Sequence, residues 1–153
     1  MARLTDLPPA LAHHLAELDC ATPDTTPWAA GPALSQRRVA VISTAGLQRR
    51  GDASFALGES AYRILDGDLP ADEIVMSHIS TNFDRTGFQQ DLNVVFPLER
   101  LRELAARGVI GSVAQYHYSF MGATAPEAMA PTATALAPLL RRDGVDALLL
   151  APV

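Results

Sequence analysis

The sequence predicts an α/β domain of three-layer, Rossmann-like design, with a mainly parallel sheet and flanking helices. Three observations lead there. Two β-branched apolar runs, residues 38–44 and 73–79, each empty into a polar or glycine-containing loop. An amphipathic helix follows the second run, and strands and helices then alternate to the end of the chain, as a wound parallel sheet requires.

Residues 8–18 carry Leu11, Leu15 and Leu18 at helical spacing and read as a short amphipathic helix. Residues 22–32 hold Pro23, Pro27 and Pro32 around Trp28, a density of proline that prevents a regular helix or central strand. This predicts an extended connector pinned by Trp28. The division expected is an N-terminal helix and Pro-rich connector over residues 1–36 and an α/β domain over 37–153.

Residues 38–44, Arg-Val-Ala-Val-Ile-Ser-Thr, are nearly continuous in apolar character, as a strand buried on both faces would be. The next eight, with Gly46, Gly51 and the pair Arg49 and Arg50, read as a loop at the carboxyl end of that strand, where open α/β sheets bind ligands. A second strand at 73–79 runs into the polar stretch 80–87. From Pro97, the stripe Leu98, Leu101, Leu104 and Ala105 with Gly108 as a stop gives a helix. Residues 109–120 read as a third strand ending at Met121-Gly122, residues 132–142 as a helix kinked or delayed by Pro138, and 146–153 as a last strand. A parallel strand is normally covered by a following helix, so this one predicts a partner chain or further sequence beside it.

Composition narrows the function. In 153 residues, 48% are hydrophobic, enough for one core. Against 12 Lys and Arg stand 17 Asp and Glu, a net charge of −5 with no basic block, which excludes a phosphate-tracking surface and so a nucleic-acid partner. The first residues lack a signal-peptide core, and the longest apolar run, 147–153, is too short to span a bilayer. The expectation is a cytoplasmic protein without a membrane partner. The single cysteine, Cys20, excludes an internal disulfide and a CxxC pair. Neither GxGxxG nor GxxxxGK[ST] occurs, so no nucleotide cofactor is expected.

The candidate chemistry gathers at strand exits. His78, Asp84 and Arg85 bring an imidazole, a carboxylate and a guanidinium to one exit: Arg85 to hold a substrate carboxylate, His78 or Asp84 to move a proton. The competing reading has Asp84 and Arg85 bracing a loop. Alternation puts His117 on the strand face opposite Tyr116 and Tyr118. With His78 and Asp84 it would form a two-histidine, one-carboxylate set suited to iron or zinc; apart from such a divalent metal no cofactor is expected. Arg49 and Arg50 are candidates for an anionic substrate, or a solvated loop. Met121 and Gly122 sit where backbone N–H groups could hold an anion, or where a tight turn needs glycine. Asp91 and Asn93 either orient the cluster or close a turn. His13 and His14, adjacent on a helix, point apart and read as surface residues.

Residues 27–28, the run 38–47, the string His78-Ile-Ser-Thr-Asn-Phe-Asp-Arg-Thr-Gly87, residues 91–97 and 118–122 together resemble the glycine/sarcosine/betaine reductase selenoprotein B family, with its D-proline reductase relatives. The likeness covers roughly residues 27–153, and the chain is similar in length to the short stand-alone members. The resemblance implies an oxidoreductase-like domain acting on a small amino-acid-like or amine substrate. In that family a selenocysteine or cysteine follows a strand like 146–153, so reductive C–N cleavage is implied if a thiol or selenol follows Val153 or comes from a partner protein. Two alternatives stand beside it: a non-catalytic binding or assembly subunit, and a metal-dependent enzyme using His78, Asp84 and His117. A homo-oligomer is expected.

Overall fold

The structure is a computed structural model that describes residues 3–17, 24, 26, 28–80 and 85–153. It divides into two compact units, Met1–Ala30 and Gly31–Val153. In the first, helix α1 (Pro9–Ala16) starts with proline at its first position, where the missing N–H costs nothing. His13 and Glu17 pair one turn apart at 3.2 Å on its exposed surface, so His13 is the surface residue expected of it. Trp28 is 86% exposed and anchors nothing by burial. Leu18 and Cys20 lie outside the described residues.

The second unit is built on β1 (Arg38–Ser43). Val39 pairs with Val113 and with Ala147, and Ile42 with Tyr118 and with Leu150, so β1 has neighbours on both sides and is central. On one side run β5 (Ser112–Val113) and then β6 (Tyr116–Ser119); on the other runs β7 (Ala147–Ala151), all parallel to β1. Strand β3 (Arg63–Asp66) adds to β6 antiparallel, and β2 (Leu47–Arg49) with β4 (Ile74–Met76) makes a separate antiparallel pair. The fold is therefore α/β, as expected, but its sheet is mixed and broken, and a Rossmann-like parallel sheet is not clearly formed.

The break carries much of the architecture. From Arg38 to Ile42 β1 advances four residues while its partner advances six, from Ser112 to Tyr118. Two extra residues, Ala114 and Gln115, are absorbed as a bulge, and a bulge frees backbone donors that must be satisfied elsewhere. Asp143 Oδ2 accepts from the N–H groups of Gln115 and Tyr116 at 3.0 and 3.1 Å. The Val41 N–H on β1 donates to His117 Nδ1 at 3.0 Å. Asp143 is itself held by Arg38, whose Nη2 reaches Oδ1 at 2.7 Å and whose Nε reaches the Asp143 carbonyl at 2.6 Å. One ion pair thus joins the start of β1, the bulge and the turn before β7.

Alternation along the strands feeds two apolar clusters. Val39, Val41, Leu47, Leu65, Phe96 and Ile110 pack with Leu98 and Leu101 of α3 (Leu98–Ala106). Ile42, Tyr118 and Phe120 pack with Leu136, Leu139 and Leu140 of α4 (Pro126–Arg142). Helix α3 is the one read from its stripe, and Gly108 at φ +70° ends it. Helix α4 begins earlier than expected, at Pro126, and runs through Pro131 and Pro138. Thr86 and Gly87, at the end of the polar stretch 80–87, begin the short helix α2 (Thr86–Gln90). Gly111 has no room for a side chain: a Cβ there would meet the Gln36 carbonyl carbon at 2.5 Å and the Arg37 carbonyl oxygen at 2.8 Å. Gly111→Ala is expected to lower unfolding free energy by about 1–3 kcal/mol, read as a lower urea midpoint at unchanged slope.

Candidate functional site at the strand exits

Beyond Ser43, β1 turns through Thr44, Ala45 and Gly46 into β2. Gly46 adopts φ +65°, and a Cβ there would lie 3.0 Å from the His78 backbone, so only glycine lets the two segments approach. Beyond β6, Gly122 donates its N–H to the Thr44 carbonyl at 2.8 Å. Beyond β7, Val153 donates its N–H to Thr44 Oγ1 at 2.8 Å. A Cβ added at Gly122 would collide with the carbonyls of Val153 and Thr44 and lie 3.1 Å from His78 Nε2. Three strand exits and His78 therefore meet around one glycine. Gly122→Ala is expected to destabilise the domain by about 1–3 kcal/mol, and calorimetry should show it as a lower melting temperature.

His78 is buried, and the Ser80 N–H donates to its Nδ1 at 3.2 Å. That bond leaves the ring proton on Nε2, the edge turned toward Gly122. Burial lowers its pKa from the ordinary value, the Ser80 bond opposes this and the nearby Arg85 charge adds to it, so near neutral pH the imidazole is uncharged, with its proton on Nε2. Arg85 extends its guanidinium to the carbonyls of His78, at 2.8 Å, and Ser80. These two bonds tie the 78–80 segment to Arg85. Asp84 lies outside the described residues.

The other residues singled out from sequence fall elsewhere. Arg49 and Arg50 are exposed at the far end of the β2–β4 pair, and Arg50 donates to the Asp72 carbonyl at 2.7 Å. Met121 is fully buried, and its backbone bridges to Ala45 beneath the strand exits. His117 is fully buried on the face opposite Tyr118, as alternation predicted, but it packs edge-on to Phe96 at 5.5 Å and beside Gly67. Its Nδ1 accepts from the Val41 N–H and so supports the bulge, while its buried Nε2 has no hydrogen-bond partner among the described residues. Among the described residues no group of three or more His, Cys, Asp or Glu is disposed to hold a metal ion. Asp91 closes a turn, its Oδ1 accepting from the Asn93 N–H at 2.9 Å. Thr44, Gly46 and Val153 were not singled out; the glycine after a strand was the available signal for Gly46, and nothing local marks the other two.

Two clefts of about 440 and 460 Å³ open elsewhere on this unit, one beside Asp68, Asn93 and Arg102, the other beside Ile64, Tyr118 and Leu139. Neither is lined by His78 or Gly122. Among the described residues no helix is long and apolar enough to cross a membrane.

Comparison with known proteins gives a consistent answer. Residues 16–153 match the glycine/sarcosine/betaine reductase selenoprotein B family. The chain is 31% identical over 120 residues to the D-proline reductase subunit gamma of Acetoanaerobium sticklandii, covering 76% of this chain and 49% of that protein. It is 30% identical over 124 residues to the glycine reductase complex component B subunit gamma of Carboxydothermus hydrogenoformans, covering 76% and 28%. To the betaine reductase complex component B subunit beta of Peptoclostridium acidaminophilum it is 31% identical over 122 residues, again 76% and 28%. The matched region thus spans about half or less of these relatives. No solved structure matches. With the match running from residue 16 to 153, the chain belongs to the glycine/sarcosine/betaine reductase selenoprotein B family.

Proposed function

We propose that this chain is the substrate-holding α/β part of an oxidoreductase that cleaves a C–N bond reductively in a small amino-acid-like or amine substrate. The observation that carries the reading is the meeting of Thr44, Gly122, Val153 and His78 at the exits of β1, β6 and β7. Strand exits of open α/β sheets are where such folds hold ligands. A donor from His78 Nε2 beside the backbone of Gly122 suits a substrate carboxylate or a leaving amine.

The attacking group in this reading is a thiolate or selenolate supplied by a segment after β7 or by a protein partner. It forms a bond to the substrate carbon as the C–N bond breaks; the amine leaves with the bonding pair and takes up a proton. A partner thiolate then attacks the sulfur or selenium of the adduct: a disulfide or selenenyl sulfide forms, the bond from that atom to the substrate carbon breaks, and the carbon takes up a proton, so the two thiol-level groups are oxidised as the substrate is reduced. His78 is positioned to hold the carboxylate or to supply that proton, and Arg85 keeps its segment in place.

An assembled state is part of the proposal. The relatives named above are subunits, two of them of reductase complexes. Among the described residues strand β7 pairs with β1 alone and shows Leu148, Leu149 and Leu150 at its exposed surface, an edge of the kind proteins cover.

The test is isothermal titration of the chain with glycine, sarcosine, betaine and D-proline. One of the four is expected to bind, and His78→Gln to weaken it by about tenfold or more, the loss of one hydrogen bond to a charged group. Binding unaltered in His78→Gln contradicts the role given to His78.

A further inference from the structure

At the strand exits Thr44, Gly122 and Val153 are part-exposed, whereas His78 and Met121 are buried and neither of the two clefts reaches them. A ligand that is to reach His78 therefore needs some covering segment to move. Residues 51–62 form no helix or strand, with Gly51 at φ +91°, Gly58 at φ +72° and Leu57 exposed between them.

This segment crosses from one wall of the site to the other. On one wall, the Phe55 N–H donates to Ser77 Oγ at 3.0 Å, and Ser77 directly precedes His78. Ser77 Oγ in turn donates to the buried Gln48 at 2.6 Å, and Gln48 Nε2 donates to the Asp52 carbonyl at 3.0 Å. On the other wall, Thr124, two residues past Gly122, donates its hydroxyl to the Glu59 carbonyl at 2.8 Å.

Arg63 gathers the span between. Its guanidinium pairs with Glu59 at 2.7 Å, donates to the Ala53 carbonyl and lies 4.2 Å over the Phe55 ring. Both partners of the ion pair are mostly buried, so this is more than a surface pair. Residues 53, 55 and 59 are thus held by one side chain that belongs to β3 and not to the segment itself.

We infer that residues 52–62 are a strap that controls access to the strand-exit site, with Arg63 as its latch and the positioning residue that sets the strap over His78. The functional meaning rests on the strand exits being the binding site. The strap itself is tested without a substrate.

Diethyl pyrocarbonate modifies uncharged imidazoles, and peptide mass spectrometry reads His78 and His117 separately. In Arg63→Ala, deuterium uptake at residues 53–59 and carbethoxylation of His78 are both expected to rise about tenfold, the consequence of losing a charge-assisted bond. His117, in the core against Val41, should not change, and Arg63→Lys should restore much of the protection. Faster uptake at 53–59 with an unchanged His78 rate would overturn the inference. If His117 also reacts faster the variant has unfolded, and Glu59→Gln decides by the same comparison. Failure of every amine to bind would leave the His78 result standing, so the strap and the site reading fail separately.

Discussion

Asp143→Ala is expected to lower the stability of the domain by about 3–5 kcal/mol, the cost of removing one partner from a largely buried ion pair. The side chain is 13% exposed and answers to three groups at once: Arg38, and the N–H groups of Gln115 and Tyr116. Removing it leaves a half-buried guanidinium without its carboxylate and two bulge amides without an acceptor. Asp143→Asn keeps one oxygen but presents an amide N–H₂ to donors, so it should recover only part of the loss. Urea unfolding with an unchanged slope is the measurement; a midpoint within error of the parent would remove the bulge from its structural role. Burial works against the ionised Asp143, yet the bonds from Arg38 and the two amides outweigh it and hold its pKa below the ordinary value. A lowered carboxyl pKa contributes stability above the unfolded value, near 4, and that contribution disappears as pH falls through the folded one.

The second large effect sits at higher pH. His117 has its pKa pushed down to about 4, first by burial, then by the positive charge of Arg102 and Arg38, with Asp143 and Asp66 opposing. Unfolded, the same imidazole takes a proton near pH 6.5. Its contribution is therefore complete above that value and falls as pH drops toward 4, by about 3 kcal/mol over the interval. Protonation would also set a positive ring against the Val41 N–H that Nδ1 now accepts. Chemical unfolding at a series of pH values should show this slope, and His117→Gln, which keeps an acceptor without titrating, should flatten it. An equal slope in both chains would show that His117 does not govern this window.

These two residues also explain how far the sequence could be read. Strand β1, helix α3 and the final strand were legible because each carries its own pattern: a continuous apolar run, a stripe ended by glycine, and a leucine-rich segment after Asp143-Gly144. The bulge was not. Its two extra residues are compensated by Asp143, 28 residues from Gln115, and by an imidazole bonding across to β1. The bond from the Val41 N–H to His117 Nδ1 is therefore not visible in the local pattern that marks His117 as a candidate ligand. Strand β3 escaped because four residues with one buried side chain, Leu65, show no period. Strand β2 was hidden by Gly46, Arg49 and Arg50, which read as loop although Leu47 and Gln48 are buried. Pro131 hid the first turns of α4, because proline inside a helix usually argues against one.

The candidate site was legible in part. His78 and Gly122 were marked by a polar imidazole and a glycine at strand exits, and the structure places His78 Nε2 3.1 Å from where a Cβ on Gly122 would lie. Thr44 and Val153 join them only through tertiary pairing of β1 with β7, which no local pattern announces.

Ligand binding at those exits is tested most directly by a nitrogen-15 NMR titration of the chain with glycine, sarcosine, betaine and D-proline. Saturable amide shifts centred on Thr44, Gly46, His78 and Gly122 with at least one of the four are the predicted result. Shifts centred on the cleft beside Asp68, Asn93 and Arg102, or none with any of the four, would contradict it.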